Sequence, residues 1–136
     1  MGEFEGKSVI VTGGALGIGG GTSEAFADAG ALVTIMDNNN EAGSSLAKRI
    51  NDTGARAQFV SADAGFSNDC RKTVEAAVQV YGGVDIVFNN VGIQPPDSYL
   101  DAVELPEEMW DRILDVNLKS RYLMAKYAIP EMRKRG

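Results

Sequence analysis

The run Val11-Thr12-Gly13-Gly14-Ala15-Leu16-Gly17-Ile18-Gly19 holds the residue types that bind an anion through backbone groups rather than side chains. Spaced glycines let the chain turn tightly and approach a ligand. A helix that begins among them offers unpaired N–H groups and a positive dipole end to a phosphate. The flanks fit that use: Ser8 to Val11 is a short β-branched apolar run, and Ile18, Thr22, Ala25, Phe26 and Ala29 recur at helical spacing. The stretch therefore reads as a strand, a diphosphate-holding turn and a helix. Its spacing is Gly-x-x-x-Gly-x-Gly, not the Gly-x-Gly-x-x-Gly of the commonest dinucleotide fingerprint, and a turn without a ligand has the same composition.

A second strand, Ala31 to Met36, ends in Asp37, 18 positions after Gly19. That is close to the spacing of about 20 expected of an acid that binds a ribose. A carboxylate there accepts from both ribose hydroxyls and repels a 2′-phosphate. No Lys or Arg follows at Asn38, Asn39 or Asn40, and Ala15 and Gly20 are uncharged. NAD is thus expected in preference to NADP. The competing reading of Asp37 is a turn former at a strand end.

With Asp63 after a third strand, Asn89-Asn90-Val91-Gly92 after a fourth, and Asn117 in a long helix, the whole chain resembles the short-chain dehydrogenase/reductase family. The resemblance implies a Rossmann-like, doubly wound α/β fold. It implies a cofactor site made by Gly13, Ala15, Leu16, Gly17, Ile18 and Gly19, by Asp37, by Asp63 and Ala64, and by Asn90, Val91 and Gly92. In that family the residue matching Asp63 approaches the adenine. The Asn-Asn-Ala-Gly turn lies along the cofactor, and here Val91 replaces its alanine. The residue matching Asn117 bonds a backbone carbonyl and helps hold a water in a proton relay, which makes Asn117 the one catalytic candidate. From the residues alone, Asn117 is equally an amide satisfied by neighbouring backbone.

Tyr122-Leu123-Met124-Ala125-Lys126 fits the family's Tyr-x-x-x-Lys pattern, and residues four apart share a helix face. The position is wrong, because the family's pair follows a fifth strand and a serine, whereas Tyr122 comes five residues after Asn117. Tyr122 is therefore expected to be an aromatic core residue. The chain ends at Gly136, where relatives enter the fifth strand. The expectation is a single partial NAD-binding domain over residues 1–136, truncated before that strand, lacking the catalytic half and inactive alone.

Strands and helices alternate as βαβαβαβα, which predicts a parallel sheet in the order 3-2-1-4 with helices on both faces. The second helix is expected from Glu41 to Asp52, burying Ala42, Leu46 and Ile50, and the third strand from Ala55 to Ser61. Ser67 is expected to cap a third helix with a stripe of Cys70, Val74, Ala77, Val78 and Tyr81, stopped by Gly82-Gly83; the fourth strand runs from Val84 to Phe88. After the Pro95-Pro96-Asp97 break, a long helix from about Pro106 carries Trp110, Ile113, Leu114, Leu118, Ala125, Ile129 and Met132 on one stripe.

Composition bounds the rest. The 136 residues are 44% hydrophobic and 24% charged, enough for one soluble globular domain. A net charge of −6 repels nucleic acid, and no histidine is present for catalysis or zinc, so no metal is expected. Lone Cys70 allows no intrachain disulfide, and no apolar run reaches membrane-spanning length; a cytoplasmic location follows. An open edge on the fourth strand and the apolar long helix predict a homo-oligomer. Two functions stay open: an NAD-dependent oxidoreductase moving hydride between nicotinamide and a small carbonyl or alcohol substrate, or a nucleotide-binding module without chemistry. Extended epimerase-like relatives, which space their glycines Gly-x-x-Gly-x-x-Gly, are a weaker alternative.

Overall fold

A computed structural model describes residues 2–136. Four parallel strands form one sheet in the order β3-β2-β1-β4: β1 (Ser8–Thr12), β2 (Leu32–Asp37), β3 (Arg56–Ser61) and β4 (Ile86–Asn89). The register pairs Val9 with Val33 and with Ile86, so β1 lies at the centre and all five of its residues are buried. A strand buried on both faces favours a continuous apolar run over polar alternation, which is why Val9, Ile10 and Val11 follow one another between the buried polar ends Ser8 and Thr12.

Successive residues of β1 feed two different cores. Val9 and Val11 pack with Val33, Ile35, Leu46, Ala47 and Ile50 on the face covered by α1 (Gly17–Asp28) and α2 (Asn40–Asp52). Ile10 packs on the other face with Cys70, Val74 and Ala77 of α3 (Ser67–Tyr81) and with Leu123, Met124 and Ala128 of the last helix. Cys70 is fully buried, its thiol donates to the Ala64 carbonyl, and burial pushes its pKa up to about 11, as suits a small core residue. Gly82 ends α3 in the left-handed region at φ 82°. No helix among the described residues is long and apolar enough to cross a membrane.

Three expectations about helix faces are corrected. On α1 the buried residues are Gly19, Gly20, Ser23 and Ala27, while Ile18 is 78% exposed. The helix meets the sheet through small residues, so its axis comes close; Ile18 points away, while Phe26 packs half-buried at the edge of the core against Phe88. Ser67 does not cap α3: Phe66 occupies the cap position without a side-chain bond, and the Ser67 hydroxyl pairs instead with the Tyr127 hydroxyl. On α2 the buried residues are Gly43, Leu46, Ala47 and Ile50, and Ala42 is only half-buried.

The long helix is not one helix with one stripe. It divides into α4 (Glu107–Leu114), a π-helical turn over Asp115–Lys119, and α5 (Ser120–Arg135). α4 buries none of its residues, and the wider turn then breaks the α-helical phase, so the single stripe expected from Trp110 onward does not meet the core. The buried residues are Val116, Ser120, Leu123, Met124 and Ala128, whereas Trp110 and Leu118 are exposed. Tyr122, expected in the core, is 60% exposed.

α5 is tied back to the start of the sheet by a clamp on Asp85. Its carboxylate accepts from Arg135 Nε at 3.1 Å and Nη2 at 2.7 Å, and from the Ser8 N–H at 2.8 Å. The Arg135 hydrogen bond, reinforced by the Ser8 N–H, holds its pKa below the ordinary carboxylate value despite partial burial. A lowered native pKa contributes stability that is complete above the unfolded value of about 3.9 and disappears as pH falls through the lowered native one. Asp85→Asn is expected to lose about 1 kcal/mol at pH 7, and the gap from the unmodified chain should close on acidification below about pH 4. Urea unfolding at several pH values checks this, and an equal gap at every pH contradicts it.

Candidate functional site

The carboxyl ends of all four strands open into one cleft of about 380 Å³. Its floor begins where β1 gives way to α1. Leu16, in extended conformation, precedes α1 without a side-chain cap, and the first turn carries no acidic residue. The first N–H groups of the helix therefore remain available to an anion. Gly17 has φ 56°, and a Cβ there would meet nothing within 4 Å, so the loop leaves open space beside those donors. At Gly19 the opposite holds: a Cβ would lie 1.9 Å from the Gly13 carbonyl oxygen, so only glycine lets the helix start this close to the loop. These features fit a bound diphosphate.

At the end of β2, Asp37 Oδ2 accepts from the Ala15 N–H at 3.1 Å and Oδ1 from the Asn39 N–H at 2.9 Å. Asn39 in turn caps α2 by accepting from the Ala42 N–H. Both carboxylate oxygens keep acceptor positions free for a ligand. In the hollow between α1 and α2, lined by Ala15 and Asn39, whose N–H groups bind Asp37, Arg49 is paired with Glu24 at 2.8 Å.

At the end of β3, Asp63 is gripped from α4. Arg112 donates through Nη1 to Oδ1 at 3.1 Å and through Nη2 to Oδ2 at 2.6 Å, and the Gly65 N–H donates to Oδ1. Burial raises the Asp63 pKa, but the bonds from Arg112 and Gly65 outweigh it and the net shift is downward. Arg112 also lies 5.7 Å over the Phe66 ring.

Beyond β4, the Thr12 hydroxyl accepts from the N–H groups of Asn90 at 3.0 Å and Val91 at 3.1 Å, while Asn90 Nδ2 donates to the carbonyls of Thr12 and Gly13. Asn117 pairs with the Ile93 backbone in both directions, accepting from its N–H at 2.6 Å and donating to its carbonyl at 2.8 Å. Its amide is thereby satisfied by backbone. Arg121 donates to the Val91 carbonyl at 2.8 Å.

Of the residues expected from sequence, Gly13, Leu16, Ile18, Asp37, Asp63, Ala64, Asn90, Val91 and Gly92 line the cleft. Ala15 and Gly17 line the adjoining hollow between α1 and α2, Gly19 lies beneath the loop, and Asn117 braces Ile93 from behind. Tyr122 and Lys126 are not among the cleft-lining residues; Lys126 Nζ sits 5.9 Å from the Tyr122 ring and 5.8 Å from that of Tyr127. Sequence reasoning missed Arg112 and Arg121. Their partners are 49 and 30 positions away, and no local pattern marks such a contact.

Residues 7–136 match the short chain dehydrogenase family. An uncharacterised oxidoreductase of Thermotoga maritima is 36% identical over 133 residues, which cover 98% of this chain and 51% of that protein. (+)-Borneol dehydrogenase 1 of Salvia officinalis is 41% identical over 128 residues, 93% of this chain and 47% of that protein. Among solved structures, a mutant short-chain dehydrogenase/reductase of Serratia marcescens superposes with a TM-score of 0.89 at 27% identity, covering 95% of this chain and 52% of the other. The chain spans about half the length of the relatives it matches. With that family's model matching residues 7–136, nearly the whole chain, and a parallel sheet in the order β3-β2-β1-β4, this chain belongs to the short-chain dehydrogenase family.

Proposed function

We propose that residues 1–136 form one NAD-binding domain, the cofactor half of an oxidoreductase that moves hydride between a nicotinamide and a small carbonyl or alcohol substrate. The observation that carries this reading is the convergence, in one cleft, of an uncapped helix start, Asp37 and Asp63. The N–H groups of α1 hold the diphosphate, Asp37 accepts from the adenosine ribose hydroxyls, and Asp63 faces the adenine. Asn90, Val91 and Gly92 wall the cleft toward the reacting end, and Asn117 positions that wall through Ile93. When bound, the nicotinamide ring supplies or accepts the hydride. The second reading, a nucleotide-binding module without chemistry, is separated from the first by NADH formation from a panel of secondary alcohols, sugars and 3-hydroxyacyl thioesters, assayed on a form of the protein that also carries the serine, tyrosine and lysine of the family pattern.

NAD is favoured over NADP because the 2′-hydroxyl side of Asp37 offers no free cation: Arg49 is held by Glu24, and Glu41 adds a further negative charge to the same hollow. The cytoplasm suits a chain whose one thiol is buried and unpaired. Self-association is favoured by the open edge of β4, where Phe88 is 37% exposed, and by exposed Trp110, Leu118 and Ile129.

Asp37→Ser combined with Asn38→Arg is expected to move preference toward NADP by about tenfold or more, as a repelled phosphate gains a cation. Calorimetric titration of both nucleotides measures it; tighter NADP binding by the unmodified chain would remove the role assigned to Asp37. Gly17→Ala puts a methyl group into the open space beside the α1 donors and strains a left-handed backbone position. NAD affinity should fall by about tenfold or more with a stability loss of about 1 kcal/mol, and an unchanged affinity would leave the loop a mere turn. Static light scattering at micromolar concentration should return a mass above that of one chain, and a stable, well-folded monomer contradicts the association proposed here.

A further inference from the structure

The two carboxylates in the cleft are held in different ways. Among the described residues, Asp37 is bound by backbone N–H groups on its own loop and the glycine loop, whereas Asp63 is gripped by a guanidinium 49 positions later in the chain. Resting on the dinucleotide reading above, we propose that Arg112 is a positioning residue for the adenine end of the cofactor, fixing the Asp63 carboxylate as the acceptor for the 6-amino group of the base.

The hydrogen-bond inventory at Asp63 leads there. Oδ1 accepts twice, from the Gly65 N–H and Arg112 Nη1, while Oδ2 accepts once, from Arg112 Nη2. An acceptor position on Oδ2 is left over, on a side chain that lines the cleft. An ionised carboxylate can only accept, and the one exocyclic donor on adenine is its 6-amino group. The paired fork leaves the carboxylate a single orientation, which a point charge such as lysine would not impose. Arg112 is itself confined, with its guanidinium over the Phe66 ring and its helix beginning the segment that carries Val116, another cleft residue. Arg112 also keeps Asp63 ionised against the cost of partial burial, so the acceptor is charged whenever the base arrives.

An ion pair that merely staples α4 to β3 would support every nucleotide equally. Replacing the 6-amino group by an oxo group therefore tells the two roles apart. The 136-residue chain, Arg112→Gln and Arg112→Lys are titrated calorimetrically with NAD and with nicotinamide hypoxanthine dinucleotide, which lacks that amine. The unmodified chain should prefer NAD. Arg112→Gln should weaken NAD binding by about tenfold while changing binding of the hypoxanthine analogue by less than about twofold, and Arg112→Lys, which keeps the charge but not the fork, should fall between. Equal loss of both nucleotides in the two variants, or no loss of either, overturns the positioning role. An unmodified chain that binds the two nucleotides equally also overturns it and leaves the NAD reading intact. No binding of NAD by the unmodified chain defeats the cofactor reading itself.

Discussion

The cleft depends on the tie between the end of β1 and the turn after β4. Thr12 and Asn90 are 78 positions apart, yet the Thr12 hydroxyl takes the N–H groups of Asn90 and Val91, and the Asn90 amide returns bonds to the carbonyls of Thr12 and Gly13. Parallel pairing of β1 with β4, Thr12 opposite Asn89, sets this up. The four bonds satisfy backbone groups that the ladder leaves unpaired where the strands diverge, and buried groups of that kind are costly when left alone. They also seat the glycine loop: Gly19 passes under the Gly13 carbonyl with no room for a side chain, so the direction of α1 follows from the position of Asn90. Shifting the β1–β4 register by one residue would misplace the helix donors relative to the wall they face.

The far side of the cleft is governed by the broken helix. Arg112 lies before the π-helical turn, Asn117 within it and Arg121 after it, and each reaches a different piece of the cleft: Asp63, Ile93 and the Val91 carbonyl. A regular α-helix would direct positions 112, 117 and 121 to different sides of its axis, spread over about 180°. The wider turn alters that phase while Val116, Ser120, Met124 and Ala128, four residues apart, keep one face on the core. Ser120 at the contact is small, and its hydroxyl donates to the Val116 carbonyl, occupying an acceptor where the helical ladder is irregular. This segment thus braces the residues that follow β3 and β4 together.

How much was legible in the residues depended on whether the information was local. The glycine loop, the acid closing β2, the αL stop at Gly82 and the strand order all follow from constraints that act within a few residues or from the alternation of strands and helices, and the sequence alone determined them. The helix faces were legible only where apolar residues did the packing, as on α3 with Cys70, Val74 and Ala77. On α1 the fully buried contact is made by Gly19, Gly20, Ser23 and Ala27, and a search for large apolar residues picks out the exposed Ile18 and the half-buried Phe26 instead, because close approach rewards small volume rather than hydrophobicity. On the long helix the first segment buries no residue and a π-helical turn changes the phase beyond it, and no residue type announces such a turn.

The tertiary structure alone decided which polar side chains serve the cleft. Asp63 was readable as an acid after a strand, but the Arg112 that orients it comes from another element. Asn117 finds both its partners on the Ile93 backbone, 24 positions away, a contact that no local pattern in the sequence marks. Tyr122 and Lys126 carry a family-like spacing and still lie outside the cleft, because spacing along a helix fixes which residues are neighbours, not which surface they face. Sequence determines contacts whose partners are a few bonds away; contacts between strand ends and a distant helix exist only once the sheet register has brought them together.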